Sequence, residues 1–291
     1  MSDKQQKRIK HNLSCPELTV LTLNFDNNEE SNEKTSENNE KIDEVSKLYK
    51  KVNILEKIAN GVFYINLIVS AITIIEFKFQ DLFFIINIIF SITYVVITNL
   101  VDIYFKNIAE NERRKSFIKE SFNVNITKRI TYKYYNNEEQ ESVRKMGINC
   151  FENLFFTKYI AKKMLVTESI KVFVIILLYI ILLIQVKDLE LLVLITQTVF
   201  SSEYLFKYIK FVYFKIQVTR IYLKMYDMFI TNPGQNEKVM MVKILDATMD
   251  YECLKFYCKI SLSPRIYKKY VSKLNKEWDD LYHNYIFYAS N

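Results

Sequence analysis

The chain has 291 residues and a formal net charge of +7; half of its residues are hydrophobic and a quarter are charged. Apolar and charged residues are segregated along the sequence, which argues against a single soluble core and favours a membrane protein with cytoplasmic parts. Only three glycines and three prolines occur, and this scarcity of helix breakers predicts an all-α fold of long helices.

The N-terminal region, residues 1–44, is polar. Its segment Asn27–Lys41 has no aromatic and no aliphatic residue, so it cannot bury enough apolar surface to offset the entropy of ordering, and we predict a disordered tail. No signal peptide is expected, because the first apolar run begins only near Ile58. Between them, Val45–Lys57 repeats apolar residues at helical spacing and predicts an amphipathic lead-in helix.

Two uncharged runs follow, Ile58–Ile75 and Leu82–Val101. Each is long enough to cross a hydrocarbon layer about 30 Å thick, and the short link between them predicts a transmembrane hairpin. A second pair is less regular. Val172–Val186 is short but is flanked by lysines that can snorkel to the interface, and Asp188–Phe206 is interrupted by two glutamates. We predict four transmembrane helices in two hairpins.

Lysine and arginine are abundant outside these runs, whereas the two short outer links carry only Lys78 and Lys187. The positive-inside rule therefore places both termini and the central segment in the cytoplasm. The expected regions are the tail (1–44), the lead-in helix with the first hairpin (45–101), a cytoplasmic insert (102–169), the second hairpin (170–206) and a C-terminal cytoplasmic helical region (207–291). The insert and the C-terminal region are expected to pack as one helical domain.

Polar residues form stripes along the first two apolar runs at helical spacing. Such stripes either hydrogen-bond between helices or line a wet pathway. Glu203 is an ionisable group near membrane depth, which suggests function, unless it lies at the interface and pairs with Lys207 one turn on. The pore-lining candidates are Asn66, Ser70, Thr73, Asn87, Ser91, Tyr94, Thr98 and Glu203.

Catalytic and metal-binding signatures are scarce. The sequence has no glycine-rich phosphate loop and no nucleophile elbow, and its two histidines, His11 and His283, lie in opposite tails. Asp246 and Asp250 share a helix face, but carboxylates on charged amphipathic helices are usually solvated or paired with lysine. The four cysteines form no C-x-x-C pair. We therefore expect no enzyme, no metal and no cofactor.

The central insert is basic and aromatic. Part of this charge follows from the positive-inside pattern and from attraction to anionic lipid. Part of it, including Arg113, Arg114 and Arg129, suits a phosphate-bearing ligand whose bases stack on tyrosines. Duplex nucleic acid is not expected, because the basic residues lie beside the membrane and are diluted by acidic ones.

Three motifs carry a resemblance to a known family: "YYNN" at Tyr134–Asn137, "NCFENLFFTKYIAKKM" at Asn149–Met164 and "SPRIYKKYVSKLNKEWDDL" at Ser263–Leu281. Together with the two hydrophobic pairs and the central insert, they resemble the SMODS-associated four-transmembrane effectors of bacterial antiphage defence. The resemblance implies a multi-pass inner-membrane protein that a cyclic oligonucleotide made by a neighbouring synthase causes to oligomerise or open, which breaches the membrane. The Asn-rich tail is not part of that family's pattern.

The polar residues within these motifs are candidates for ligand sensing or for structural coupling. Asn149, Glu152, Asn153 and Thr157 have near-helical spacing, which places them on one polar face. That face either contacts a ligand or serves as a polar buttress that holds the preceding loop. The loop itself supplies Tyr134, Tyr135, Asn136 and Asn137. A membrane-anchored sensor or scaffold that recruits a separate effector, and a membrane-bound enzyme, are the alternatives to a pore.

Overall fold

A computed structural model of the chain describes residues 42–75, 80–129, 131–132, 135, 137, 139–185 and 204–287. All of these residues belong to one compact unit, Glu40–Asn291. Residues 1–41 of the predicted disordered tail and nearly all of the predicted fourth span lie outside the described residues, so both stay predictions there; the last residues of the predicted tail, Ile42–Asp43, form a short strand instead.

Helices make up almost all of the described structure, as the composition predicts. They are α1 (Val45–Ile75), α2 (Gln80–Leu100), α3 (Lys106–Phe122), α4 (Val143–Gln185), α5 (Tyr204–Tyr226), α6 (Glu237–Cys258) and α7 (Pro264–Leu281). A π-helical turn at Val101–Phe105 joins α2 to α3, and others at Asp227–Thr231 and Tyr282–Phe287 follow α5 and α7. Two short strands, β1 (Ile42–Asp43) and β2 (Thr131–Tyr132), pair antiparallel.

Local sequence determines several helix ends. The side chain of Asn236 accepts a hydrogen bond from the Lys238 backbone N–H and caps α6. Ser263 caps α7 in the same way, and Pro264 occupies the first helical turn, where its missing N–H costs nothing. Helices α3 and α6 end at residues in the left-handed conformation, Asn123 and Lys259.

Three of the described helical stretches are long and apolar enough to cross a membrane: Val45–Ser70, Asp81–Phe122 and Val143–Ile181. The first two pack against each other. The lead-in helix and the first predicted span form one continuous helix, α1. The predicted region boundaries at 101 and 169 fall inside continuous helices, because α2 runs on into α3 and α4 crosses residue 169 without a break.

Burial in the apolar helices is the reverse of burial in a soluble bundle. Ile68 on α1 and Ile92 on α2 are each 59 % exposed, whereas Asn87 is only 2 % exposed. Helices that turn isoleucine outward and asparagine inward suit a lipid solvent, in which the outer surface must be apolar and polar groups must find partners inside. This pattern supports the membrane assignment independently of hydropathy.

Away from the apolar runs, parts of the same helices and the C-terminal helices form a well-packed region. We call α3, residues 143–169 of α4, and α5–α7 the helical domain. Its core is aromatic: the ring of Phe151 on α4 lies 5.9 Å from Phe229, 5.4 Å from Trp278 and 5.3 Å from Tyr222. The insert and the C-terminal region therefore share one hydrophobic core, which contains residues far apart in the sequence.

Gly147 on α4 allows the close packing of this core. A Cβ atom at this position would lie 2.8 Å from Cγ2 of Ile244 and 2.9 Å from Cζ of Phe229, and both of those side chains are buried. We expect Gly147→Ala to lower the free energy of unfolding by about 1–2 kcal/mol, because overpacking costs ~1–3 kcal/mol and the gain in helix propensity offsets only part of it. The measurement is denaturant unfolding in detergent, followed through the fluorescence of Trp278, the single tryptophan.

Gly234 provides the matched control. No atom lies within 4 Å of a Cβ built there, and its φ is not positive. Gly234→Ala should therefore leave stability unchanged or raise it slightly. Equal effects of the two substitutions would contradict the close approach of α4 to Ile244 and Phe229.

Candidate functional site

The polar residues predicted on α4 lie in its first half, inside the helical domain. Asn149, Glu152 and Thr157 are buried, and Asn153 is half-buried. Burying a polar side chain costs free energy unless the side chain is hydrogen-bonded. The hydrogen-bond partners of these residues therefore explain why they can lie in the interior.

Two of these residues hold the loop that precedes α4. The Oδ1 atom of Asn149 accepts from Nδ2 of Asn137 at 2.8 Å, and its Nδ2 donates to Oγ of Ser121 on α3 at 3.1 Å. One turn on, Nδ2 of Asn153 donates to the hydroxyl of Tyr135 at 2.8 Å. These hydrogen bonds connect the loop to α3 and α4, which is the geometry expected of a polar buttress.

Beside this polar face is a cavity of about 490 Å³, which we call the domain cavity. Residues of α1, α3, α4, α6 and α7 line it, together with the loop residue Tyr135. It brings together four predicted site residues: Arg113, Tyr135, Asn153 and Thr157. Its aromatic lining consists of Tyr49, Phe117, Tyr135, Phe156, Tyr251 and Tyr267.

Four charged residues form an ion network beside this cavity, and three of them, Glu110, Arg113 and Lys255, line it. The Nε atom of Arg113 lies 2.7 Å from Oε2 of Glu110, and its Nη2 contacts Oε2 of Glu252. Nζ of Lys255 lies 3.3 Å from Oε2 of Glu110. The two cations and two carboxylates balance, so Arg113 is not a bare cation that awaits an anion. We call these residues the ion network.

Burial shifts the pKa of Lys255, a member of the ion network, and the pKa of Tyr251 beside it. It lowers the pKa of Lys255, an effect that nearby Arg113 increases and the two carboxylates oppose. It raises the pKa of the Tyr251 phenol above its ordinary value, and that hydroxyl is paired with Oγ1 of Thr157 at 2.9 Å. Tyr251 therefore stays a neutral hydrogen-bonding group at physiological pH.

Three further lining residues carry polar groups with no ion pair or hydrogen bond among the described residues. The hydroxyl of Ser116 is buried and has no hydrogen-bond partner among the described residues. Lys50 and Lys268 are exposed and form no ion pair with any described carboxylate. The lining of the domain cavity therefore combines two exposed lysines, several aromatic side chains and a buried hydroxyl without a described partner.

The polar stripes of α1 and α2 meet within one chain. Nδ2 of Asn66 donates to Oγ of Ser91 at 2.9 Å, and Nδ2 of Asn87 donates to Oγ of Ser70. The hydroxyl of Ser70 in turn donates to the backbone carbonyl of Asn66 at 2.9 Å. We call these four residues the hairpin interlock. In this conformation they hydrogen-bond the two helices to each other.

Other predicted residues lie apart from the domain cavity. Arg114 is exposed and donates to Asn111 within its own helix, and Nε of Arg129 lies 3.7 Å from Oε2 of Glu112. Buried Tyr94 and Thr98 lie below the hairpin interlock on α2. The predicted residues Tyr134, Asn136 and Glu203, and the side chain of Thr73, lie outside the described part of the chain.

Comparison with known proteins yields no match: no family model, no curated protein and no solved structure is similar to this chain.

The carboxylates considered for metal binding have a simpler explanation. Asp246 and Asp250 both accept from Nζ of Lys224, at 3.3 Å and 2.8 Å, on the surface of the helical domain. Within the described ranges, no cluster of three or more His, Cys, Asp or Glu side chains is placed to hold a metal ion. Burial raises the pKa of the Cys258 thiol to about 11, which makes it a poor nucleophile at neutral pH.

Sequence reasoning missed most of the ion network. Glu110 with Arg113, and Glu252 with Lys255, each form an i, i+3 pair of opposite charge on one helix. Such pairs are usual on solvated helix faces, so the spacing alone did not distinguish these pairs from surface ones. Only the packing of α3 against α6 shows that the two pairs face each other.

Proposed function

We propose that this chain is a membrane effector of a bacterial antiphage system, in which a cyclic oligonucleotide bound in the domain cavity causes it to oligomerise or open and to disrupt the inner membrane. The observation that supports the proposal best is continuity. Each of α1, α2–α3 and α4 runs unbroken from an apolar, outward-facing segment to the wall of the domain cavity. A shift of these helices at the cavity therefore displaces their membrane ends.

The lining of the domain cavity supports an anionic, aromatic ligand. Tyr135 and Tyr267 offer rings on which bases can stack, and the rim residues Lys50 and Lys268 suit phosphates. The volume of about 490 Å³ is in the range of small-molecule sites. Because Tyr135 is held by Asn153, a ligand that displaces its ring acts directly on α4.

Disruption of the membrane requires the residues of the hairpin interlock to exchange their hydrogen-bond partners. A four-helix unit fills its interior with side chains and has no aqueous lumen, so a pore needs several copies or an opened bundle. When α1 and α2 separate, the amides of Asn66 and Asn87 lose their partners Ser91 and Ser70. Unpaired amides in hydrocarbon are costly, so they turn to water or to a second copy of the chain.

Dye release from vesicles tests this proposal. The purified chain, reconstituted in anionic vesicles, should release a trapped dye when cyclic di- or trinucleotides are added, and should retain it with linear nucleotides. Asn87→Leu should abolish most of the release, because an apolar side chain cannot line a wet pathway, while insertion is retained. The matched control is Thr93→Val: among the described residues, the Thr93 hydroxyl on α2 donates only to the carbonyl of Ile89 in its own helix.

Release that no cyclic nucleotide stimulates, or release that Asn87→Leu and Thr93→Val reduce equally, would overturn the pore. Tyr267→Ala separates the two halves of the proposal. It should weaken the nucleotide response several-fold and leave any basal release unchanged, because Tyr267 lines the domain cavity and belongs to α7, which is not one of the apolar helices.

A membrane-anchored sensor that recruits a separate effector is the second candidate. The side chains of Val242, Leu245, Met249 and Phe256 follow one another along α6 and are all exposed, which suits a protein partner. Nucleotide binding without dye release, together with capture of a partner that Leu245→Lys abolishes, would favour this function over the pore.

A further inference from the structure

A second cavity, of about 720 Å³, lies where the apolar helices end. It is lined by the start of the α1 apolar run at Ala59, the α2 residues Tyr94 and Thr98, α4 at Glu168, and the first turns of α5. We call it the hairpin-base cavity. It is distinct from the domain cavity: of the described residues, only Ile260 and Ser261 line both.

The charges of the hairpin-base cavity leave an excess of cation. Four lysines and three carboxylates line it: Nζ of Lys106 is paired with Glu56 at 2.7 Å and with Asp102 at 2.9 Å, and Glu168 is paired with Lys171, which lies outside the lining. Lys210 and Lys259 also line the cavity, and neither has an ion pair with a described carboxylate. The cavity therefore offers two cations for an anionic group.

Thr98 contributes a second and independent observation. Its side chain is 4 % exposed and lines the cavity, and its Oγ1 has no hydrogen-bond partner among the described residues. A buried hydroxyl without a partner is unfavourable in an apolar helix. A phosphate oxygen in the cavity would supply the missing acceptor.

The rim of the cavity is apolar. Ile103 and Phe206 both line it and are 65 % and 61 % exposed, and Leu100 is exposed one turn before Ile103. A soluble anion gains nothing from these side chains. A molecule with a phosphate head and hydrocarbon tails places its head near the lysines and its tails along the outward-facing apolar helices.

We propose that the hairpin-base cavity binds the headgroup of an anionic phospholipid, with its phosphate near Lys210, Lys259 and Thr98 and its acyl chains along Ile103 and Phe206. The bound lipid fills the space between the first hairpin and the start of α5, and so stabilises their relative position. This inference rests on the membrane part of the proposed function and is independent of the nucleotide signal.

Native mass spectrometry of the detergent-solubilised full chain, titrated with defined lipids, tests the inference. Phosphatidylglycerol should bind at least tenfold more tightly than phosphatidylcholine. Lys210→Gln with Lys259→Asn should weaken phosphatidylglycerol binding roughly 25-fold, since each cation near an anionic surface contributes about fivefold in affinity. Asparagine is chosen because residue 259 has a φ of 51°, which asparagine tolerates. The control is Lys238→Gln, at the opposite end of α6.

Three further comparisons test the lipid proposal: a soluble competitor, a neutral lipid and a Thr98 variant. Glycerol 3-phosphate, the head without tails, should compete only weakly; competition as strong as that of the lipid would show a soluble anion site and overturn the lipid proposal. Equal binding of the two lipids, or no loss in the double variant, would also overturn it. Thr98→Val, which removes only the hydroxyl, should weaken binding several-fold while the unfolding midpoint stays within a degree or rises.

Lipid preference and dye release are separate measurements. Loss of nucleotide-triggered release with the lipid preference intact would contradict the pore and leave the lipid site standing. Loss of the lipid preference with nucleotide-triggered release intact would contradict the lipid site and leave the pore standing.

Discussion

Replacing Arg113 with methionine is expected to destabilise the helical domain by about 3–5 kcal/mol, because it removes the cation that Glu110 and Glu252 share in the interior. Lys255 still pairs with Glu110, but Glu252 then keeps its charge without its arginine partner. The measurement is denaturant unfolding in detergent through Trp278 fluorescence, since that side chain is fully buried in the same domain.

Arg114→Met is the matched control. Arg114 is exposed and, within the described part of the chain, its side chain donates only to Asn111, so its loss should change stability by less than about 0.5 kcal/mol. In the double variant Arg113→Met with Glu252→Gln, much of the lost stability should return, because the orphaned charge is gone. A loss below about 1 kcal/mol for Arg113→Met would show that water screens the ion network.

The Arg113→Met variant also tests whether a ligand contacts Arg113. If Arg113 serves only the ion network, Arg113→Met should reduce nucleotide binding in proportion to the unfolded fraction. A loss of binding by fully folded protein would instead show that a ligand competes with Glu252 for the guanidinium.

Replacing Trp278 with alanine is expected to cost about 3–5 kcal/mol, the usual loss for a large aromatic side chain removed from a core. Trp278 is fully buried, and its ring lies 5.4 Å from that of Phe151 and 5.8 Å from that of Phe155. It anchors α7 to α4. Because Pro264, Tyr267 and Lys268 on α7 line the domain cavity, the substitution should also weaken ligand binding. Unfolding is followed by circular dichroism, since the fluorophore is lost.

Trp278→Phe tests the reason for the loss. The indole N–H has no hydrogen-bond partner among the described residues, so the cost should reflect lost volume alone, about 1–2 kcal/mol. Tyr285→Ala, on the exposed surface after α7, should be neutral. A cost for Trp278→Phe as large as that for alanine would indicate that the N–H has a partner.

Secondary structure was accessible from the sequence because it depends on near neighbours. The lack of glycine and proline, the apolar runs Ile58–Ile75 and Leu82–Val101, and the start of α7 at Pro264 are all local features. The helical spacing of Asn149, Asn153 and Thr157 was readable for the same reason. Their partners were not, since Ser121 and Tyr251 belong to other helices.

The candidate site was predictable only in part. The basic and aromatic character of the insert indicated Arg113 and Tyr135, which do line the domain cavity. Nothing local distinguished Arg113 from Arg114, its neighbour in sequence. One faces α6 and enters the ion network, and the other faces solvent, because successive helical residues point about 100° apart and only the packing of α3 decides which side is covered.

The sequence by itself determined the class of the protein: long helices, apolar segments suited to a membrane, and polar stripes along two of them, since each depends on composition and on the helical period. Only the tertiary structure decided what these features contact. It joined the stripes of α1 and α2 in the hairpin interlock, paired Arg113 with Glu252 across 139 positions, and enclosed two cavities. These depend on contacts between residues distant in the chain, and no local pattern encodes which helix faces which.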